Sequence, residues 1–328
     1  MSTYKRSKGI KQMENIINWL LEEKEPSIRY RTLTELLDKP ETDPEVIEAK
    51  EAVLKSKNVC RLFDRLDDRG LFPHIQKFYG NFTTFSYLYA LAELGLKKGD
   101  PHINEIVDWI LIPGEDKHEH FMQKEFQNEH AYLLDESNLG SCRQTDFLGT
   151  LLRLGFGDDE RVKKLIDAFI EKNRFDGGYL CKWKKSRHKG QTPKSCVGTT
   201  VNALRVFSYL PEEYRNTDAY KNTLEYFISR NMIHSKINPD EIICSTNAFY
   251  NGCGMSHAFV LADAMSRLGL GNIPEMNEVW SIIESKKDAE GKVVLEATDT
   301  KKTLIMDGVG KPNKYLTLNL LLSYKHRG

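Results

Sequence analysis

The sequence predicts an all-α fold, six inner and six outer helices in a closed ring, and three observations predict it. Apolar residues recur with a helical period along nearly the whole chain, as in IINWLL at 16–21, LYALAELGL at 88–96, LLRLGF at 151–156, LRVFSYL at 204–210 and LLLSY at 320–324. The helices come in pairs, one apolar nearly all round and one amphipathic, and the pairs repeat every 54 to 60 residues. An unpaired helix stands at each end of the chain, so the two ends can complete one another.

The elements follow in order. An N-terminal helix spans about 10–22, and the first inner helix, SIRYRTLTELL, starts at Ser27. The second starts near Phe82 as FTTFSYLYALAELGL and leads into the outer helix of DPHINEIVDWIL. The third, SCRQTDFLGTLLRLGF from Cys142, leads into DDERVKKLIDAFI; the fourth, SCVGTTVNALRVFSYL from Cys196, leads into NTDAYKNTLEYFI. The fifth, GCGMSHAFVLADAMSRLGL near Cys253, leads into IPEMNEVWSII, and the last, NKYLTLNLLLSY from Asn313, has no outer helix after it. A helix apolar all round is buried on both sides, whereas an amphipathic one lies outside. Packing of the N-terminal helix on the last inner helix seals the ring as one domain over residues 1–328, with no capping repeat.

The stretch RFDGGY at 174–179 punctuates the pattern. Gly177 and Gly178 are expected to end an outer helix through a left-handed residue, with Tyr179 and Trp183 packing back over the repeat junction. The turns at 113–116 and 289–292 occupy corresponding places.

Composition excludes several classes of function. The chain has 328 residues, 29% charged and 40% hydrophobic, and its 47 Lys and Arg balance 47 Asp and Glu. A neutral chain lacks the basic field that dominates nucleic-acid binding. No apolar run approaches the roughly 18 residues of a membrane span, and the first 26 residues hold no signal-peptide core. The six cysteines (Cys60, Cys142, Cys181, Cys196, Cys244, Cys253) form no CxxC pair. The expectation is a cytoplasmic protein with reduced thiols.

FIEKNRFDGGY resembles the repeat signature of squalene cyclases, an aromatic–aliphatic pair followed by Gln, Asp-Gly-Gly and Trp, with Arg174 in place of Gln and Tyr179 in place of Trp. Together with the six helix pairs and the bacterial-style opening PSIRYRTLTELL, this makes the chain similar to the terpenoid cyclase and protein prenyltransferase superfamily, the α/α toroids. The resemblance implies a central cavity for a small apolar or isoprenoid-like ligand. It also implies catalytic signatures, and here the chain departs from them. The cyclases carry a DxDD acid at the start of an inner helix; the matching positions read SCRQT, SCVGT and GCGMS. The prenyltransferases hold zinc with an Asp and a Cys at one inner helix and a His on the last; here Asn251 and Leu316 stand at two of those positions. Their diphosphate-binding segment resembles SRHKGQTPKSCVGT at 186–199, where Arg187, His188, Lys189 and Lys194 are candidate phosphate contacts or a solvated basic loop.

Cys142, Cys196 and Cys253 open three successive inner helices, with His257 one turn after Cys253 and Asp146 one turn after Cys142. Helix N-termini lower a thiol's pKa, so these five residues are candidates for a reactive thiol or, through Cys253 and His257, for a zinc site. The competing view is that the cysteines are small residues in buried helix contacts. Aromatics at Phe82, Phe85, Tyr87, Tyr89, Phe147, Phe259 and Tyr315 either line the cavity or fill it. His118, His120 and His130 fall in a charged connection, 113–138, either solvated or a lid. Three functions stay open: a cyclase- or prenyltransferase-like enzyme, a non-catalytic ring that binds or scaffolds a partner, and a cysteine-based metal enzyme.

Overall fold

A computed structural model describes residues 3–68, 70, 72, 84–111, 142–180, 194–252, 254–299 and 304–327. Those residues form thirteen α-helices and no strand. In chain order they are α1 (Thr3–Leu20), α2 (Pro26–Arg31, continued by a π-helical turn Thr32–Leu36), α3 (Pro44–Leu54), α4 (Lys57–Phe63), α5 (Thr84–Glu93), α6 (Ile103–Leu111), α7 (Cys142–Arg153), α8 (Glu160–Glu171), α9 (Val197–Tyr209), α10 (Asp218–Ile228), α11 (His257–Arg267), α12 (Asn277–Glu284) and α13 (Lys314–Arg327).

The two helix types differ as their patterns require. In α11 every residue from Ala258 to Ser266 is buried, and in α13 every residue from Lys314 to Ser323. By contrast α8 buries Val162, Ile166 and Phe169, one stripe at helical spacing. The outer helices begin on polar caps: the Asp43, Asp159 and Thr217 side chains accept from Glu45 N at 2.8 Å, Arg161 N at 2.9 Å and Tyr220 N at 3.3 Å. Three inner helices end on Leu-Gly. Gly95, Gly155 and Gly269 have φ of 88°, 89° and 75°, and the next residue's N–H reaches back to Leu91, Leu151 and Met265 carbonyls. That doubled-back bond satisfies the last carbonyls of each helix and aims the chain at its outer partner.

Inner helices pack in succession: α5 on α7, α7 on α9, α9 on α11, α11 on α13, and α13 on α2 with its π-turn. At the other flank of α2, Gly95 lies against Tyr30 and Arg31, where an added Cβ would sit 2.8 Å from the Tyr30 ring. The outer helices α3, α8, α10 and α12 cover α2, α7, α9 and α11. One cluster of buried apolar side chains runs from Ile16 to Leu322. The α1 helix meets the turn at 289–292, with Gln12 and Ile16 against Gly291. Trp19 carries the Lys292 and Lys314 amines 4.7 and 5.3 Å from its ring centre, and Glu22 pairs with Lys314 at 2.9 Å.

The Gly-Gly turn differs from the expectation. Helix α8 ends at Glu171, several residues before the glycines, and 174–178 forms a separate tight turn in which Arg174 N–H donates to the Gly178 carbonyl. Glycine is required by what lies opposite. A Cβ on Gly177 (φ 82°) would come 2.4 Å from the Asn222 carbonyl oxygen of α10, and one on Gly178 would come 2.5 Å from Ser195 Cβ. Asp176 accepts from Ser195 N at 2.9 Å just ahead of α9, and Tyr179 stacks on Phe169 with centroids 4.8 Å apart.

Candidate functional site

Each inner helix contributes polar residues to a common centre. On four of them they lie one turn apart on a single face, Arg31 and Glu35, Tyr89 and Glu93, Arg205 and Tyr209, Asp263 and Arg267; α7 adds Asp146 and Arg153, and α13 adds Asn319. Arg31 is 1% exposed. Its Nε and Nη2 form a fork on Glu35 at 2.8 and 3.0 Å, its Nη1 donates to the Glu93 carboxylate at 3.4 Å, and its Nη2 donates to Asn319 Oδ1 at 3.2 Å. Glu93 also pairs with Arg153 and accepts from the Tyr250 hydroxyl at 2.9 Å. Arg205 pairs with Asp146 and donates from Nη1 to the Tyr89 hydroxyl at 2.8 Å. Arg267 pairs with Asp263 at 2.9 Å and lies 5.3 Å from the Tyr209 ring centre.

Four arginines thus face four carboxylates, and the charges cancel. Buried charge is tolerated only when paired and hydrogen-bonded, and that is the arrangement here. Burial opposes the Glu35 carboxylate, but Arg31 outweighs it with help from Arg153 and Arg267, and the pKa falls to about 2. Burial likewise opposes Arg31, Arg205 and Arg267, yet the acidic groups beside them hold each above its ordinary value. Asp146 goes the other way. Its side chain keeps 38% of its surface open, and burial of the carboxyl among the helices pushes its pKa up against the pull of Arg205.

Between these groups lies a chamber whose walls include Tyr89, Gly149, Arg153, Arg205, Tyr209 and Met255. It leaves about 20 Å3 open to a water-sized sphere, room for something of the order of a water. Arg205 lines this wall, and its Nε, closed to a water-sized sphere, has no hydrogen-bond partner.

Of the residues singled out in the sequence, Asp146 belongs to this centre. Cys196 is a half-buried free thiol at the cap of α9. His257 opens α11, behind Ser256 rather than behind Cys253. Its Nδ1 accepts from Ser245 N at 3.2 Å and its Nε2 lies 3.2 Å from where a Cβ on Gly198 would be, so the ring covers the first turn of α9. Burial lowers its pKa. Cys142 opens α7, but its side chain lies outside the described residues, as do Cys253, Arg187, His188, Lys189, Phe82, Phe85 and the 113–138 connection. Lys194 is described and exposed. Among the described residues no group of three His, Cys, Asp or Glu is placed to hold a metal. Of the two replaced positions that resemble zinc ligands, Leu316 is 0% exposed in the core and Asn251 is buried; beside Leu316, Asn313 Oδ1 accepts from Leu316 N at 2.9 Å to cap α13. Tyr87, Phe147, Phe259 and Tyr315 sit in the apolar core, while Tyr89 lines the chamber.

Sequence reasoning missed Arg31, Glu93, Arg153, Arg205, Asp263 and Arg267, while Asn319, a polar residue on the last inner helix, was legible as a group that reaches the centre. A signal existed. Glu93, Arg153 and Arg267 each stand immediately before a Leu-Gly helix end, and the pairs Glu93–Arg153 and Asp146–Arg205 are 60 and 59 residues apart, one repeat. Opposite charges one period apart on buried helices mark neighbours across the repeat.

Comparison with family profiles, with curated proteins and with solved structures finds no match to this chain.

Proposed function

We propose that the six inner helices close into an α/α ring and that the protein is a binding body whose central chamber takes a small polar ligand. Closure is supported by Arg31, which bonds to Glu93 of the second inner helix and to Asn319 of the last. The ligand reading is carried by one observation, the polar lining of the chamber, where Tyr89, Glu93, Arg153, Arg205, Asp263 and Asn319 meet. Binding is favoured over catalysis because the residues at the family's acid and zinc positions are replaced, and Leu316 is spent on packing. A thermal-shift screen of small polar metabolites against the whole protein tests this. A true ligand at 100 times its Kd adds about 2.7 kcal/mol of stability. A screen in which no polar compound gives a saturable shift ends the reading.

The resemblance supplies a second reading, a cyclase- or prenyltransferase-like protein for an isoprenoid. Tyr89, Tyr209 and Met255 give the chamber apolar wall, and Lys194 is exposed ahead of α9. Against it, the 20 Å3 chamber is far below the ~300–1,000 Å3 of a drug-sized ligand pocket. Farnesyl diphosphate and a neutral terpene belong in the same screen; a saturable shift by either, with none by polar compounds, favours this second reading. Metal analysis tests the zinc variant: less than about a tenth of an equivalent in the purified protein removes it.

A further inference from the structure

The geometry points to a second binding site, a surface groove beside the N-terminal helix that takes a short neutral oligosaccharide. It is separate from the central chamber.

The groove lies between α1 and the turn at 289–292, with Gln12, Asn15, Asn18 and Trp19 on one wall and Glu290 and Lys292 on the other. Its volume of about 660 Å3 is open to solvent and falls inside the ~300–1,000 Å3 of small-molecule pockets. From Lys11 to Trp19 the helical wall runs eight residues, about 12 Å at 1.5 Å per residue. That length exceeds one sugar ring and suits a short chain of them.

Both walls are held in place before anything binds. Gly291 (φ 87°) brings the turn against α1, where an added Cβ would lie 2.9 Å from Gln12 Nε2, and that amide donates to the Ala289 carbonyl at 3.4 Å. Asp288 Oδ1 accepts from Glu290 N at 2.9 Å and from Lys292 N at 3.0 Å, which fixes the turn. Further along α1, the Trp19 ring is anchored by the Lys292 and Lys314 amines. A wall already ordered loses little freedom on binding.

Charge decides the class of ligand. Lys292 is paired with Glu290 at 2.6 Å and Lys314 with Glu22 at 2.9 Å, so a phosphate would have to displace a carboxylate from its lysine. The groups left free are mostly neutral. The Asn15 and Asn18 amides are exposed, and they and the Trp19 indole N–H make no hydrogen bond among the described residues. Each amide offers two donor protons and an acceptor oxygen, and the indole offers one donor. Hydroxyl groups, each both donor and acceptor, answer that set without bringing charge. The half-buried Trp19 adds apolar surface against which the C–H groups of a pyranose pack.

The test titrates maltotriose, cellotriose and chitotriose into the whole protein by calorimetry, beside inorganic phosphate and hexaglycine. The expected result is saturable binding of at least one trisaccharide and none of phosphate or hexaglycine. Asn15→Ala and Asn18→Ala are the decisive variants, because neither exposed amide holds the fold together. Each should melt no lower than the parent, alanine being the better helix former. Each should bind the trisaccharide about 2- to 10-fold more weakly, the loss of one net hydrogen bond. Trp19→Phe, which removes the indole N–H and keeps a ring, should weaken binding as well. Trisaccharide binding unchanged in the Asn15→Ala, Asn18→Ala double variant places the site elsewhere and overturns the inference. Binding of phosphate or hexaglycine with no trisaccharide bound overturns the ligand class, and the absence of saturable binding by all three trisaccharides overturns the site.

Discussion

Arg31 of α2 donates to Asn319 of α13 at 3.2 Å across 288 residues of sequence. The same guanidinium reaches Glu35 and Glu93, so one buried cation ties the first inner helix to the second and to the last. Lys325 repeats the link nearer the surface, donating to the Glu35 carbonyl at 2.8 Å.

Removing this cation leaves the buried Glu93 with Arg153 as its ion-pair partner and takes the guanidinium fork from the half-buried Glu35. Arg31→Ala is expected to destabilise the fold by about 3–5 kcal/mol, the usual range when one partner of a buried pair is deleted. Urea denaturation followed by circular dichroism measures it. A loss below about 1 kcal/mol would mean that Arg31 is not the tie described here.

Acid should act through Glu35. Its pKa falls from the ordinary 4.5 to about 2 in the folded chain, so the ionised form is the stabilising one. The contribution is complete above about pH 4.5 and is lost as pH drops towards 2. Glu35→Gln should be less stable than the parent at neutral pH, and the gap should close between those two values. A gap independent of pH over that interval contradicts the assignment.

The turn at 174–178 depends on two glycines held against backbone and side chain. Gly177→Ala meets both a positive φ and a 2.4 Å approach to the Asn222 carbonyl, and it should cost about 1–3 kcal/mol or more. Gly9→Ala, on α1 with nothing within 4 Å, should instead stabilise by roughly 0.5–1 kcal/mol. Paired thermal melts of the two variants check the contrast.

The thiols should separate by burial. Cys60 is exposed, whereas burial pushes Cys244 up to about 12. Brief alkylation of the native protein followed by peptide mass mapping should label Cys60 and leave Cys244 unmodified until denaturant is added. Equal labelling of the two in native buffer would show that Cys244 is not packed as described.

The sequence by itself determined the helical class, the pairing of buried and amphipathic helices, and the places where inner helices stop. Those features are local. A period of 3.6, a Leu-Gly end at 94–95, 154–155 and 268–269, and a polar cap at Asp159 or Thr217 each act within a few residues. The centre was decided by tertiary structure. Arg205 finds Asp146 and Tyr89 at separations of 59 and 116 residues, and Tyr250 finds Glu93 at 157. A lone charge in an apolar helix reads as an exception until its partners arrive from other repeats. The Gly-Gly turn followed the same division. Glycine was legible at 177 and 178, but its reason was not a helix end. It was the Asn222 carbonyl and Ser195, brought close by the packing of α10 and α9. Local periodicity sets which faces are buried; only the folded chain sets which charges meet there, because electrostatic pairing depends on distance in space and not on spacing along the chain.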